Sequence, residues 1–215
     1  MYRARMSVPM SRRELLSTCA AAGVLTAVPL FGRSFVDVLL AAEQQARSPT
    51  PPNELGPFYR RGAPAGTTLR FPGDPGLPLH IAGRVFDSRG EVRPDATVEI
   101  WQADHRGHYD LEGYRYRATI APGGDGGYAV ETVMPGHYPD RVAQHVHYLV
   151  RAPGCRPLVT QLYFATDPAF EGDPDHKFRN DPIVHSRELI RPVLVTGDPG
   201  QPVASVTFEI VLERA

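Results

Sequence analysis

Lysine and cysteine are scarce in this chain. Lys177 is the single lysine among 215 residues, and the formal net charge is −1. Without a basic surface, the chain is not predicted to bind nucleic acid. Of the two cysteines, Cys19 lies in an N-terminal segment that we interpret below as an export signal. Cys155 is then alone in the rest of the chain, which excludes an internal disulfide that would hold the fold together.

Beyond residue 42 the sequence lacks a segment with clear helical periodicity. Glycine and proline are abundant instead, with 20 and 22 residues. Short runs in which apolar and polar residues alternate lie between turns rich in Gly, Pro and Asp: 79–87, 96–104, 114–120, 127–133, 145–154, 157–164 and 204–213. This pattern predicts an all-β fold, a sandwich or a barrel. Residues 165–188 form a long polar excursion, which we expect to be functional or to carry a short helix.

The N-terminal residues have the order of parts found in a twin-arginine export signal. Arg12 and Arg13 precede a moderately apolar stretch rich in Ala and Leu, too short and interrupted to predict a membrane span. An amphipathic N-terminal helix is the alternative. We therefore expect a signal at 1–42, a polar, Pro-rich linker or arm at 43–55 and one domain at 56–215. The expected location is periplasmic or extracellular, with no stable membrane span after export.

Two histidines stand two positions apart in the apolar run "RVAQHVHYLV". Residues two apart in a strand point to the same side, so His145 and His147 are predicted to share one face with Leu149. The other face carries three apolar or aromatic side chains: Val146, Tyr148 and Val150. Two neutral imidazoles on one face can ligate iron, zinc or copper.

The partners of the two histidines distinguish between kinds of metal site. A cupin site needs a glutamate a few residues after the pair, but Arg151 and Ala152 stand there. Tyr109 and Tyr138 lie upstream, at loop positions rich in Gly or Pro. Phenolate is a hard anionic ligand, so two phenolates with two neutral imidazoles favour Fe(III) over Fe(II).

Five segments in order resemble the intradiol ring-cleavage dioxygenases, the family of protocatechuate 3,4-dioxygenase and catechol 1,2-dioxygenase. They are "GPFYR" (56–60), "VEIWQADHRGHYD" (98–110), "MPGHYPDR" (134–141), "HVH" (145–147) and "LVTQLYF" (158–164). The resemblance implies a β-sandwich of short, mostly antiparallel strands with long loops. It also implies one non-haem Fe(III) per chain bound by Tyr109, Tyr138, His145 and His147. The implied reaction cleaves a catechol-type aromatic with O2 to a cis,cis-muconate-type diacid.

The resemblance also implies roles around the metal. Tyr59 and Trp101 are expected near the substrate pocket, and Gln161 matches the family's pocket glutamine. Tyr138 is expected to leave the metal and accept a substrate proton. Arg141 or Gln161 is expected to stabilise the charge that develops on the substrate.

One position departs from the family pattern, which places an arginine three residues before the first histidine. Here Arg141 is four residues before His145, and Gln144 directly precedes the ligand. We predict that a β-bulge brings Arg141 to the pocket, with Gln144 at the kink. In the competing arrangement Arg141 lies outside, paired with Asp140, and Gln144 faces the substrate.

Two other functions remain open at this point. A zinc hydrolase would use the two histidines together with His137, and a non-catalytic β-sandwich module would bind ligands without turnover. The sequence predicts neither the particular catechol nor the oligomeric state.

The export interpretation predicts that Arg12→Lys combined with Arg13→Lys traps the precursor in the cytoplasm, because the twin arginines are the recognised feature. Cell fractionation followed by immunoblotting measures this, and the trapped protein should keep its folded domain. Unchanged distribution between the fractions would remove the export interpretation.

Overall fold

The computed structural model describes residues 46–139, 141–198 and 200–215, so the predicted signal at 1–42 and the start of the predicted arm lie outside the described residues. These ranges contain ten strands: β1 (Pro78–Asp87), β2 (Thr97–Trp101), β3 (Arg117–Ile120), β4 (Gly127–Val133), β5 (His145–Arg151), β6 (Leu158–Phe164), β7 (Ile190–Arg191), β8 (Leu194–Thr196), β9 (Val203–Thr207) and β10 (Ile210–Leu212). They also contain one short helix, α1 (Pro174–Lys177).

The strands form two five-stranded sheets. In the first sheet β1 pairs antiparallel with β4 and parallel with both β9 and β10, and β8 pairs with β9. The second sheet has the order β3–β2–β5–β6–β7, antiparallel except for its last pair. Five of the eight pairings are antiparallel, so the predicted sandwich of short, mostly antiparallel strands is confirmed.

The core lies between the inner faces of the two sheets. Tyr148 on β5 packs against Tyr128 on β4, with ring centroids 6.3 Å apart, and against Phe208 at 5.2 Å. Val146 and Val150 share this face of β5 and are also fully buried in the core. The predicted division of β5 is therefore confirmed, and its two histidines lie on the outer face of the second sheet.

An extended arm follows the edge of β6 and then reaches this outer face, where the amide of Gln161 donates to the carbonyl of Glu54 at 2.7 Å. Within residues 46–60, the backbone N–H of Thr50 donates to Val211 on β10 at 3.0 Å, and that of Asn53 donates to Val159 on β6 at 2.8 Å. The hydroxyl of Thr160 donates to the carbonyl of Pro51 at 2.8 Å. N–H groups and a carbonyl of the arm's backbone thus form hydrogen bonds with the sandwich. The described part of the segment predicted as a linker or arm is therefore an arm that is held against the domain.

The structure differs from the sequence pattern at two places. β3 starts at Arg117 rather than at residue 114, because Tyr116 has a positive φ of 55° and ends the preceding turn. The run 204–213 is divided into β9 and β10. The excursion 165–188 contains α1 and two 3-10 turns at 168–170 and 178–180, and a third 3-10 turn at 187–189 lies across its end. The short helix expected in this excursion is therefore confirmed by α1. Within the described part of the chain, no helix has the length and apolarity needed to cross a membrane.

The division between β9 and β10 occurs where Phe208 meets Gly83. The carbonyl of Phe208 accepts a hydrogen bond from the Tyr128 hydroxyl at 2.6 Å instead of joining a ladder. A Cβ placed on Gly83 would lie 1.9 Å from this carbonyl oxygen. Only glycine at position 83 therefore allows β1 to pair with β9 before this point and with β10 after it.

Gly83→Ala is expected to lower the free energy of unfolding by at least ~1–3 kcal/mol, because overpacking against backbone forces the strands apart. Urea denaturation measures the change. Gly124→Ala is the matched control, since a Cβ there meets nothing within 4 Å. Equal stability of the two variants would contradict this description of the junction.

Candidate metal centre

Four side chains lie in one row across the outer face of the second sheet. The strand register places Trp101 opposite Arg117 on β3 and opposite His147 on β5, and it places His147 opposite Gln161 on β6. Residues directly opposite in a sheet project to the same face. All four are at most 5% exposed, and the Trp101 indole stacks on His147 with 4.9 Å between centroids and 6° between planes.

The two predicted tyrosine ligands come from loops that touch through their backbones. Tyr109 follows Gly107 by two residues, and Tyr138 follows Gly136 by two residues. A Cβ on Gly107 would lie 1.9 Å from the carbonyl oxygen of His137, and one on Gly136 would lie 2.5 Å from the N–H nitrogen of Gly107. Glycine at both positions therefore lets the loops meet closely enough to bring the two tyrosines together.

The phenol oxygens converge on one imidazole nitrogen. The hydroxyl of Tyr109 is 3.4 Å from Nε2 of His145, and the hydroxyl of Tyr138 is 3.3 Å from the same atom. The rings of His145 and His147 have centroids 4.8 Å apart, and Tyr109 is 6.3 Å from His147. Donor atoms that share one metal ion at about 2.0–2.2 Å lie roughly 3–3.5 Å apart. The distances from the two phenol oxygens to Nε2 of His145 fit a single shared metal ion.

The protonation of His145 leaves the correct nitrogen for a metal. Its Nδ1 lies 2.8 Å from the carbonyl oxygen of Ala143, an acceptor, so Nδ1 carries the proton and Nε2 presents its lone pair. Nδ1 of His147 is buried with no hydrogen-bond partner among the described residues. A Cβ on Gly56, which has a φ of 72°, would lie 3.0 Å from Cε1 of His147. The arm thus approaches this ring as closely as glycine permits.

Burial keeps both imidazoles neutral. Burial, together with the smaller effect of the charge of Arg141, lowers the pKa of His145 to about 3. Burial also lowers the pKa of His147, followed by the effect of His145. Burial raises the pKa of the Tyr109 phenol, with a further contribution from Tyr138, and it raises that of Tyr138 as well. Neutral imidazoles are the form that binds metals, and the buried phenols need a nearby cation before they ionise.

Arg141 reaches the site, although not through a bulge. It is 7% exposed, and its Nη2 donates to Oε1 of Gln161 at 3.0 Å and to the hydroxyl of Tyr163 at 2.9 Å. Its Nε faces Oδ2 of Asp181 at 3.3 Å. Its backbone N–H closes a turn onto the carbonyl of Tyr138 at 2.9 Å, four residues before β5 begins. The β-bulge prediction is therefore wrong, because this segment belongs to a turn and not to a strand ladder.

The other predicted pocket residues have defined partners. The hydroxyl of Tyr59 donates to Oε2 of Glu99 at 2.8 Å, and its ring lies 5.0 Å from Trp101. Nε2 of Gln161 donates to the carbonyl of Glu54 in the arm at 2.7 Å. The alternative in which Gln144 faces the substrate in place of Arg141 is wrong. The side-chain amide of Gln144 instead donates to the carbonyl of Pro135 at 2.7 Å.

Sequence reasoning missed residues that hold the ligands in place. Phe58 stacks on Tyr109 with 4.2 Å between centroids and 16° between planes, and it meets Tyr138 edge-on at 6.0 Å. The guanidinium of Arg117 donates to the carbonyls of Phe58 at 2.6 Å and Asp110 at 3.0 Å. Phe58 lies within the motif "GPFYR", but no local pattern indicates that Arg117 would join this motif to the Tyr109 loop.

The third histidine of the zinc alternative lies elsewhere. Nε2 of His137 is 2.9 Å from Oδ1 of Asp167, and its side chain is 43% exposed. Among residues 46–139, 141–198 and 200–215, no three His, Cys, Asp or Glu side chains form a group that could hold a metal ion. The donors that the structure does bring together are the two imidazoles and the two phenols.

Comparisons with known proteins agree with this arrangement. The family model described as "Dioxygenase" matches residues 55–214. Catechol 1,2-dioxygenase of Acinetobacter baylyi is 31% identical, an alignment that covers 84% of this chain and 68% of that protein. Hydroxyquinol 1,2-dioxygenase of Nocardioides simplex is 32% identical over 75% of this chain and 64% of that protein. The chain thus spans about two thirds of the length of these relatives.

Solved structures show the same similarity. The dioxygenase domain of a dioxygenase–carbohydrate-binding protein fusion from Streptomyces sp. SirexAA-E superposes with a TM-score of 0.68 at 33% identity, and covers 78% of this chain and 100% of that one. Catechol 1,2-dioxygenase of Acinetobacter radioresistens gives a TM-score of 0.65 at 25% identity, over 82% of this chain and 68% of that one. With its matched fold, its ordered motifs and its converging phenols and imidazoles, the chain belongs to the intradiol ring-cleavage dioxygenase family.

Proposed function

We propose that the chain binds one non-haem Fe(III) through Tyr109, Tyr138, His145 and His147 and uses O2 to cleave a catechol-type ring between its two hydroxylated carbons. The observation that carries this proposal is the convergence of two phenol oxygens on Nε2 of His145, at 3.4 and 3.3 Å. Two phenolates with two neutral imidazoles favour Fe(III) over Fe(II) and zinc. Relatives named for catechol, hydroxyquinol and chlorocatechol support a catechol-type substrate.

Bound iron would act as a Lewis acid and as a template for the two substrate oxygens. The two tyrosines then have different tasks. Tyr109 is fixed by the stacked ring of Phe58, whereas Tyr138 contacts Phe58 only by its edge. Tyr138 is therefore the residue that moves, and its phenolate oxygen accepts the proton of a substrate hydroxyl.

Arg141 supplies positive charge beside the reacting ring. Burial disfavours its charge, but the Tyr163 hydroxyl and the Asp181 carboxylate outweigh burial and raise its pKa. A guanidinium fixed in a buried site stabilises negative charge on the substrate as it develops. Gln161 contributes indirectly, because its amide carbonyl orients Arg141 and its amide N–H binds the arm.

We also propose that the protein is exported through the twin-arginine route, which carries folded proteins and so allows iron to be loaded first. The motif at Ser11–Leu15, in the sequence preceding the described residues, supports this proposal.

Tyr109→Phe and Tyr138→Phe are each expected to lower the iron content or to shift the visible absorption band, because each removes one anionic donor. Iron analysis and visible spectroscopy of the purified variants measure this. Tyr114→Phe is the matched control, since its hydroxyl donates only to the carbonyl of Arg61 at the surface. Wild-type iron content and colour in both ligand variants would show that the ligand set is wrong.

The proposed cleavage mode predicts a cis,cis-muconate-type diacid from catechol under O2. Mass spectrometry and ultraviolet spectra of the product identify it, with an iron-free sample as the control. A yellow semialdehyde would indicate extradiol cleavage, and an iron-loaded protein without turnover on catechol or hydroxyquinol would indicate a binding module.

A further inference from the structure

The excursion at 165–188 contains three Asp-Pro dipeptides. They begin at Asp167, Asp173 and Asp181. Aspartate followed by proline favours a turn, because the carboxylate accepts a hydrogen bond from a nearby backbone N–H and proline fixes the next φ. Asp167 and Asp181 are each 1% exposed, whereas the side chain of Asp173 is 51% exposed. Two of these three turns therefore carry a carboxylate into the interior.

Each of the two buried carboxylates divides its oxygens between its own turn and the segment before β5. Oδ1 of Asp181 accepts from the N–H of Ile183 at 2.9 Å, and its Oδ2 accepts from the N–H of Ala143 at 3.0 Å. Asp167 is arranged in the same way, since Oδ1 accepts from the N–H of Ala169 at 2.9 Å and Oδ2 from the N–H of Gln144. Two successive backbone N–H groups before His145 are thus held by two Asp-Pro turns.

Asp181 has one contact that Asp167 lacks. Oδ2 of Asp181 lies 3.3 Å from Nε of Arg141, and both side chains are buried. The residue held by this oxygen also carries the acceptor for a proposed metal ligand, because the carbonyl of Ala143 lies 2.8 Å from Nδ1 of His145. The N–H of the peptide group that contains this carbonyl, that of Gln144, is held by Asp167. One carboxylate oxygen therefore contacts both the arginine beside the proposed substrate site and the backbone of the residue whose carbonyl faces His145.

We propose that Asp181 is the positioning residue that holds Arg141 and His145 in one arrangement, an inference that rests on the function proposed above. A buried guanidinium that loses its carboxylate is strongly destabilised, so Arg141 would turn away or draw in water. A ligating histidine that loses the support of its acceptor samples other orientations, and loss of such outer contacts costs about 10–100-fold in metal affinity or activity.

Asp181→Asn tests this role with little change in volume. Three donors, the N–H groups of Ile183 and Ala143 and Nε of Arg141, would face one oxygen and one NH2 group in place of two oxygens. We expect kcat for catechol to fall roughly 10–100-fold with a smaller change in KM. Asp167→Asn is the buried comparison, since Asp167 also holds the segment before His145 and contacts His137 but does not contact Arg141. It should lower thermal stability with a smaller loss of kcat, because the contact with Arg141 is kept. Asp173→Asn is the exposed control and should leave kcat unchanged.

A double-mutant cycle and a measurement on the metal-free protein separate positioning from general damage. If Asp181 acts through Arg141, Asp181→Asn should lower kcat much less in an Arg141→Ala background. In the metal-free full-length protein, the 15N shifts of His145 should show a proton on Nδ1 in the wild type and a mixture of tautomers in Asp181→Asn. These shifts report on positioning even if the wild type turns over no catechol, in which case the proposed function fails and not the role of Asp181.

The proposal is overturned if Asp181→Asn keeps the wild-type kcat and the wild-type His145 shifts. It is also overturned if Asp167→Asn and Asp181→Asn lose kcat equally and Arg141→Ala does not reduce the effect of Asp181→Asn.

Discussion

Buried polar side chains need partners, and this constraint organises the outer face of the second sheet. On most sandwiches this face meets solvent, but here it carries His145, His147 and Gln161, all at most 2% exposed. The arm supplies a carbonyl that accepts from Gln161, and the loops that carry Tyr109 and Tyr138 supply phenol oxygens near His145. The proposed metal ion would complete the partners that the protein groups leave incomplete.

The same constraint explains why segments without regular structure are held so firmly. The arm binds both sheets through its backbone, and the excursion 165–188 holds the segment before β5 through two buried carboxylates. Gly107 and Gly136 let two loops touch where any side chain would collide with backbone. The loops that carry Tyr109 and Tyr138 are therefore held in place by many contacts with a rigid sheet, and these contacts fix the positions of the two phenols.

Much of the fold and of the candidate site's composition could be predicted from the sequence. Alternation predicted β1, β4 and β6 to within one residue and predicted the start of β5, although β5 ends three residues before the predicted run does. The period of two placed His145 and His147 on one face. The ordered motifs then indicated the two tyrosines. These features are local, so a short stretch of sequence contains the information.

The remaining features depend on contacts distant in sequence. The path of Arg141 was mispredicted because counting back from His145 assumes a strand, whereas the hydrogen bond of its N–H to Tyr138 makes a turn. Asp181 lies 40 residues from Arg141, and the three Asp-Pro dipeptides indicate turns without showing what the carboxylates reach. Arg117 became part of the site only through the register of β3 with β2.

The visible absorption spectrum of the purified wild-type protein tests the central claim most directly. With one Fe(III) per chain, the account predicts a red-brown solution whose charge-transfer band arises from tyrosinate ligands and changes when catechol is added without O2. A colourless protein that nevertheless holds one iron per chain, or one that holds zinc, would contradict a centre of two tyrosinates and two histidines.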